Sequence, residues 1–197
     1  MKICTFQGTF NPLHNGHAAM AEFVRQNFEY DKIIFIPANK PPHKEYDESL
    51  SKARYNLVKA YVDSHPAFEI SDIEYRRNEP SYTYVTIKEL QKIYKTDKFG
   101  FIIGQDAFSD IESWYETKKL KELLDFIVFL RDNEKEPDVF KELRKKGYNF
   151  TIAKNWQRVD VSSTQIRELV KNNSAQAIEK FVPKEVKDFI VKNELYI

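Results

Sequence analysis

The sequence predicts an α/β protein with a Rossmann-like, doubly wound parallel sheet and a C-terminal helical segment. Short apolar or β-branched runs occur at residues 2–6, 32–36, 68–71, 98–103, 126–130 and 149–152. Helix-like periodic segments lie between these runs, and polar motifs follow directly after them. The chain has 197 residues, of which 42% are hydrophobic and 31% charged, a balance typical of one globular domain.

The helices are predicted from apolar positions that recur every three to four residues. In chain order they cover residues 16–27, 51–64, 82–94, 118–124 and 137–146. This alternation with strands indicates βαβ units, which place the strands parallel. Further helices follow at residues 162–172, at 175–181 and from Pro183 onward. We therefore divide the chain into an α/β core, residues 1–161, and a helical segment, residues 162–197, packed on the same domain.

Composition and charge limit the classes of function. A net charge of +1 gives no overall attraction for nucleic acid, so we expect no nucleic-acid partner. The sequence contains no apolar run of transmembrane length and enters a strand at its start, so we expect a cytoplasmic protein without a membrane partner. Cys4 is the single cysteine and is predicted to be a buried thiol. The charge runs 118–122 and 131–136 are interpreted as solvated surface.

The segment after the first strand, residues 8 to 17, reads GTFNPLHNGH. Gly8 and Gly16 allow the backbone to approach a ligand closely, and Asn15 is predicted to cap a helix that begins near Gly16. Free N–H groups at that helix start attract phosphate. His14 and His17 are three residues apart, so both imidazoles can face one anionic group. Such positioned donors suit nucleotidyl transfer, because phosphoryl-type chemistry depends on them more than on a nucleophile.

Other interpretations of this segment stay open. The two histidines have the spacing of half a zinc site, although four His and one Cys offer no further ligand pair, so we expect no protein-bound metal. An ordinary strand, turn and helix without chemistry is a second alternative. A structural role for either histidine is a third.

The loop after the second strand reads PANKPPHK at residues 37–44. Its consecutive prolines favour an extended backbone that holds His43 and Lys44 away from the sheet edge. A positive pair at the mouth of a crevice suits a phosphate, and Asn39 belongs to the same loop. A polar surface loop without a ligand is the alternative.

Later segments suggest further ligand contacts. Thr83 and Tyr84 open a helix whose free N–H groups suit a carboxylate, although a simple helix cap would look the same. Asp106 follows a strand and suits ribose hydroxyls, although an isolated GxD pattern is a weak signal. Trp114 and Tyr115 supply a flat aromatic face in a loop, which core packing alone would also explain.

The sequence VSSTQIR at residues 161–167 predicts the start of another helix. Ser162 and Gln165 have capping-box spacing, and Arg167 adds a planar fork of donors beside free backbone N–H groups. Together these groups suit a triphosphate. A capped surface helix with a solvated arginine is the alternative.

The first motif resembles the GTFxPxHxGH signature of the nucleotidyltransferase superfamily. The PPHK, SYT, GQD, WY and VSSTQIR stretches are similar to those of the bacterial nicotinate-nucleotide adenylyltransferase family, in the same order over residues 3–167. The sequence departs from that family at Gln7, where glycine is usual, at Asn11, where aspartate is common, and at Val161, where isoleucine is usual.

The resemblance implies adenylyl transfer from ATP to nicotinate mononucleotide, giving deamido-NAD (nicotinate adenine dinucleotide) and pyrophosphate, with Mg²⁺ bridging the ATP phosphates. It implies catalytic roles for His14, His17 and Arg167. ATP would contact these residues together with Gly8, Thr9, Phe10, Gly104, Asp106, Ser162 and Ser163. The acceptor would contact Asn39, His43, Lys44, Thr83, Tyr84, Trp114 and Tyr115. Another acceptor, such as nicotinamide mononucleotide or phosphopantetheine, and a non-catalytic nucleotide sensor are the alternatives, and a homo-oligomer is left open.

Overall fold

Six parallel strands form one sheet in the described part of the computed structural model, which covers residues 1–42, 47–131, 135–172 and 175–197. In chain order the strands are β1 (Ile3–Gly8), β2 (Lys32–Pro37), β3 (Phe68–Ile70), β4 (Phe99–Gly104), β5 (Leu124–Phe129) and β6 (Phe150–Ile152). They lie side by side in the order β3-β2-β1-β4-β5-β6. The predicted α/β, doubly wound fold is confirmed.

The same described residues contain helices α1 (Asn15–Asn27), α2 (Ser51–Asp63), α3 (Thr83–Tyr94), α4 (Gln105–Ser109), α5 (Thr117–Leu123), α6 (Asp138–Lys145), α7 (Ser163–Asn172) and α8 (Lys184–Lys192). None of these described helices is long and apolar enough to cross a membrane. Short 3-10 turns occur at Glu48–Leu50, Ile73–Arg76, Ile111–Ser113 and Ala175–Ile178. The sequence analysis missed α4 and the first three of these turns. The helix predicted at 175–181 is instead the short 3-10 turn Ala175–Ile178.

The strands bury side chains on both faces, so successive residues point into two different apolar layers. In β1, Cys4 and Phe6 face the layer that α1, α2, α7 and α8 cover. Ile3 faces the layer that α3, α4, α5 and α6 cover. Cys4 is buried and unpaired as a thiol, as expected from the sequence.

The helices after residue 161 share a core with the helices of the first half of the chain. Ile166 of α7 and Val186 of α8 belong to the same buried cluster as Val24 of α1 and Leu57 of α2. Packing of residues 162–197 on the same domain therefore stays our proposal for the organisation of the chain, with this shared cluster in its support.

The strand order reverses between β1 and β4. β1 pairs with β2 on one side and β4 on the other, so the connections leave these two strands in opposite directions. In sheets of this topology a crevice opens beyond the carboxyl ends of the strands at the reversal. The motifs at residues 8–17 and 104–106 follow β1 and β4 at this point.

Candidate active site

A cleft of about 1060 Å³ opens at the carboxyl ends of β1, β4 and β5. It brings together most of the residues that the sequence analysis selected: Gly8, Thr9, Phe10, His14, His17, Thr83, Gly104, Asp106, Trp114, Tyr115, Ser162, Ser163 and Arg167 all line it. Asn39 and Tyr84 lie next to lining residues without lining the cleft themselves. His43 and Lys44 lie outside the described residues.

The two histidines form a stacked pair at the start of α1. Their ring centroids are 3.7 Å apart with an interplanar angle of 27°. His14 caps the helix: its Nδ1 accepts a hydrogen bond from the His17 N–H at 3.4 Å, and Nδ1 of His17 accepts from the His14 N–H at 3.2 Å. The prediction that Asn15 caps α1 is wrong, because the reciprocal bonds of the histidines perform that role. The Asn15 side chain instead donates to the Lys180 carbonyl at 3.0 Å.

These hydrogen bonds determine which nitrogen of each neutral imidazole carries the proton. Because both Nδ1 atoms accept from backbone N–H groups, the proton lies on Nε2, which makes Nε2 a donor. Burial lowers the pKa of His14 from 6.5 to about 4. His14 is therefore a neutral donor at physiological pH.

Gly16 is required by the position of the His14 ring. A Cβ at residue 16 would lie 3.0 Å from both Cε1 and Nδ1 of His14, so a side chain there would push the ring away. Gly8 has a similar role for Phe10, because a Cβ at Gly8 would lie 2.9 Å from the phenyl ring. Phe10 has a left-handed backbone, with φ of 46°, and packs edge-on against His17 at 5.1 Å. Both glycines thus allow ring packing that orients the histidine pair.

Arg54 of α2 holds the loop that leads to His14. It is buried and donates to the carbonyl oxygens of Thr9 at 2.9 Å, Ala38 at 2.6 Å and Asn39 at 3.1 Å. It thereby joins the loop after β1 to the loop after β2. The sequence analysis missed Arg54, although its place on the apolar face of α2, three residues before Leu57, was a usable signal.

The start of α7 holds the same loop from the opposite side. Ser162 Oγ accepts from the N–H of Gln165 at 3.1 Å, which agrees with the predicted cap. Ser163 Oγ donates to the Pro12 carbonyl at 2.9 Å, and Arg167 Nη1 donates to the Asn11 carbonyl at 2.8 Å. A guanidinium has five N–H donors, so Arg167 can hold this loop and also contact a phosphate.

The 114–115 loop packs against the start of α3. Tyr115 stacks on Tyr82, the residue before α3, with ring centroids 4.7 Å apart, and 48% of Tyr115 is exposed. Trp114 meets Phe101 edge-on at 6.1 Å. The first N–H groups of α3, which include those of Thr83 and Tyr84, have no partner within the helix by its geometry. An aromatic wall and helix N–H donors thus lie together at this end of the cleft.

Asp106 pairs with an arginine that the sequence analysis assigned to solvated surface. Arg131 follows β5 and forms an ion pair with Asp106, while its N–H donates to Gln105 Oε1 at 3.0 Å. Its carbonyl accepts from Arg158 at 3.0 Å. Arg131 and Arg158 are exposed, and both line the cleft. The two arginines come from separate loops, so their place at the cleft became visible only in the folded structure.

Asn39 belongs to a polar network beside the cleft, next to the lining residue Ala38. Its Oδ1 accepts from Ser51 Oγ at 2.6 Å, and its Nδ2 donates to the Glu74 carbonyl at 3.3 Å. The Glu74 carboxylate is buried and accepts from Thr86 Oγ1 at 2.7 Å and from Gln7 Nε2. Burial raises the pKa of Glu74. Gln7, a departure from the family pattern, therefore links β1 to the residues that support α3.

No group of three or more His, Cys, Asp or Glu side chains lies close enough to hold a metal ion within the described ranges of the chain. The cleft is nevertheless bordered by carboxylates, since Asp106, Asp110 and Asp160 line it. These side chains offer the oxygen ligands that Mg²⁺ accepts alongside substrate phosphates and water.

Comparisons with known proteins agree with this architecture. A family model described as cytidylyltransferase-like matches residues 5–169. The chain is 36% identical over 197 residues to a probable nicotinate-nucleotide adenylyltransferase of Dictyoglomus thermophilum, with 100% of each chain covered. It is 37% identical over 193 residues to a protein of the same description from Fusobacterium nucleatum, with 98% of each covered. Nicotinic acid mononucleotide adenylyltransferase of Plasmodium falciparum, solved in complex with NaAD, shares the fold, with a TM-score of 0.79, 22% identity and coverage of 99% of this chain and 97% of that one.

Proposed function

The chain belongs to the nicotinate-nucleotide adenylyltransferase family, and from this premise we propose that it transfers the adenylyl group of ATP to nicotinate mononucleotide. The products are deamido-NAD (nicotinate adenine dinucleotide) and pyrophosphate. This reaction is a step in NAD biosynthesis. The observation that carries the proposal is the stacked pair of His14 and His17 at the start of α1, inside a cleft large enough for two nucleotides.

In the proposed reaction a phosphate oxygen of the acceptor attacks the α-phosphorus of ATP. A new P–O bond forms as the bond to the pyrophosphate breaks, and the leaving group takes that electron pair. Nε2–H groups of His14 and His17 donate to oxygens that gain negative charge in the transition state, and the N-terminus of α1 adds its dipole. No covalent enzyme intermediate is required, because the side chains act by positioning and charge stabilisation.

We propose that ATP contacts the loops after β1 and β4 and the start of α7. Gly8, Thr9 and Phe10 supply backbone close to the phosphates, and Gly104 and Asp106 lie where ribose hydroxyls would be bound. Ser162, Ser163 and Arg167 would contact the triphosphate. Arg167 would add a bidentate contact, since its fork matches two phosphate oxygens.

The acceptor side uses the opposite end of the cleft. Backbone N–H groups at Thr83, Tyr84 and Tyr115 would bind the nicotinate carboxylate, and the Trp114 ring would stack on the pyridine. Asn39 would support the acceptor phosphate through the loop after β2. His43 and Lys44 stay predictions for that phosphate.

We propose that Mg²⁺ accompanies ATP, and that substrate oxygens and water would hold it more than the carboxylates of the cleft, such as Asp106, would. Its chemistry would be to neutralise charge on the pyrophosphate. The cytoplasmic location stays a prediction from the sequence, which left the oligomeric state open.

A pyrophosphate-release assay with ATP and each acceptor tests the proposal. A carboxylate gains charge-assisted bonds from the N–H groups at Thr83 and Tyr115, whereas an amide would turn its NH₂ group toward some of these donors. Each unsatisfied group costs about 1–3 kcal/mol, so kcat/KM for nicotinate mononucleotide should exceed that for nicotinamide mononucleotide by roughly 100-fold.

A double variant, His14→Ala with His17→Ala, serves as the control for contaminating activity and should release almost no pyrophosphate. Equal use of both mononucleotides, or faster use of phosphopantetheine, would reject the proposed acceptor. ATP binding without pyrophosphate release for every acceptor would instead favour the nucleotide sensor.

A further inference from the structure

Tyr196 reaches the loop after β1 from the segment that follows α8. Its hydroxyl donates to Oδ1 of Asn11 at 2.8 Å, across 185 residues of sequence. The ring packs against the buried cluster beneath α1 and α2. Burial raises the pKa of Tyr196, so the phenol stays protonated and can donate this bond at any pH the protein meets.

Asn11 lies at the centre of a loop whose backbone is held on both sides. Arg54 binds the Thr9 carbonyl, and Arg167 binds the Asn11 carbonyl at 2.8 Å. Ser163 binds the next carbonyl, that of Pro12, at 2.9 Å. Tyr196 adds a bond to the side chain of Asn11, a residue that lines the cleft, whereas Tyr196 itself does not line it.

We propose that Tyr196 is a positioning residue for adenylyl transfer, acting through Asn11 on the loop that ends at His14. This inference rests on the proposed function. It also accounts for the departure at position 11, because the amide oxygen of asparagine accepts the tyrosine bond as a carboxylate oxygen would. The position needs an acceptor, and the negative charge of aspartate is not required for that bond.

The backbone after α8 is shaped to deliver this side chain. Glu194 and Tyr196 both have left-handed backbone angles, with φ of 50° and 67°. The N–H of Leu195 between them donates to the Ile190 carbonyl at 3.1 Å. Residues other than glycine rarely adopt this conformation, and they keep it where surrounding contacts require it. The contact of Tyr196 with Asn11 is one such requirement.

A double-mutant cycle with Tyr196→Phe and Asn11→Ala tests the inference. Loss of one neutral hydrogen bond should lower kcat about five-fold in Tyr196→Phe and leave KM for nicotinate mononucleotide unchanged. The double variant should match Asn11→Ala alone, since both changes remove the same bond. Asn11→Asp keeps an acceptor and should keep the wild-type response to Tyr196→Phe.

Tyr94→Phe is the matched control. It also removes a tyrosine hydrogen bond, that of Tyr94 to Glu69 at 3.3 Å, but Tyr94 ends α3 away from the cleft. Its kcat should equal that of the wild type. Additive effects in the cycle, or an unchanged kcat in Tyr196→Phe, would overturn the inference.

Amide hydrogen exchange over residues 9–17 gives a readout that does not depend on turnover. Exchange should be faster in Tyr196→Phe than in the wild type and in Tyr94→Phe. If the wild type releases no pyrophosphate with any acceptor, the proposed function fails, and exchange still decides whether Tyr196 restrains the loop. Identical exchange in all three proteins would reject that restraint.

Discussion

Gly16 connects the conformation of the helix start to the chemistry of the two histidines. Because residue 16 has no Cβ, the His14 ring can fold back over the first turn and accept from the His17 N–H. The spacing of His14 and His17 was enough to predict a shared face. The cap could not be predicted, because Asn15 has the stronger general preference for that position and only the ring packing favours His14.

The neutral state of His14 gives a prediction at the residue scale. Burial lowers its pKa from 6.5 to about 4, so between these two pH values the unfolded chain binds a proton that the folded chain does not bind. The contribution of His14 to the unfolding free energy should therefore be complete above pH 6.5 and be lost as the pH falls toward 4. In the ligand-free protein, the NMR signal of the His14 ring should titrate near the low end of this range.

His14→Asn provides the comparison, because asparagine also caps helices and does not titrate. The histidine signal that is missing from the spectrum of this variant is that of His14, which identifies it among the signals of the four histidines. The unfolding free energy of the wild type, relative to that of this variant, should fall as the pH falls from 6.5 toward 4. A His14 signal that titrates near pH 6.5 would contradict the assigned environment.

At the scale of elements, apolar runs and long periodic helices were predictable, whereas very short helices and turns were not. Strand β2 and helix α3 were predictable because an apolar run or a repeating apolar face is long enough to recognise. Helix α4 has five residues, Gln105–Ser109, too few for a periodic pattern. The turn Ile111–Ser113 is shorter still. These short elements are set by the packing of Phe108 and Ile111 into the layer under α3 and α5.

Helix α2 shows how an element can organise a site that it does not line. Arg54 extends from its buried face to the carbonyls of the two loops beside the cleft. Arg54→Met should remove the guanidinium donors from these carbonyls and lower the unfolding free energy by at least about 3 kcal/mol. Urea denaturation measures this loss.

Lys59→Met on the same helix is the control. Lys59 is exposed and pairs with Asp63 one turn later, at 2.6 Å. Removing such a surface pair should change the unfolding free energy by no more than about 0.5 kcal/mol. If both variants were equally stable, Arg54 would not be the support that its contacts indicate.

At the scale of the whole molecule, the contacts that could not be predicted are those between distant parts of the chain. Gln7 meets Glu74 across 67 residues, and Ser163 meets Pro12 across 151. The sequence pattern places each residue near a strand end or helix start. It contains no information on which partner the fold will bring to that place. The contacts that hold the cleft together were therefore less predictable than most of the residues that line it.

The core shared by the two parts of the chain leads to a prediction for folding. Trp156 lies in the buried cluster with Ile166 and Val186, whereas Trp114 packs against the layer on the other side of the sheet. If residues 162–197 belong to one domain with the core, both sides should unfold together. Trp114→Phe and Trp156→Phe leave one tryptophan each, and their fluorescence should report urea transitions that coincide with the loss of circular dichroism within each variant.

A chain that ends at residue 161 extends the same test. It would lack Ile166, Val170, Val186 and Ile190, which cover the apolar faces of α1 and α2. Exposing this much apolar surface should cost more free energy than the net unfolding free energy of a domain of this size. The shortened chain should therefore show no cooperative transition. Two separate transitions in the full chain, or a cooperatively folded 1–161 chain, would mean instead that the helical segment is a domain of its own and that Tyr196 reaches Asn11 across a domain boundary.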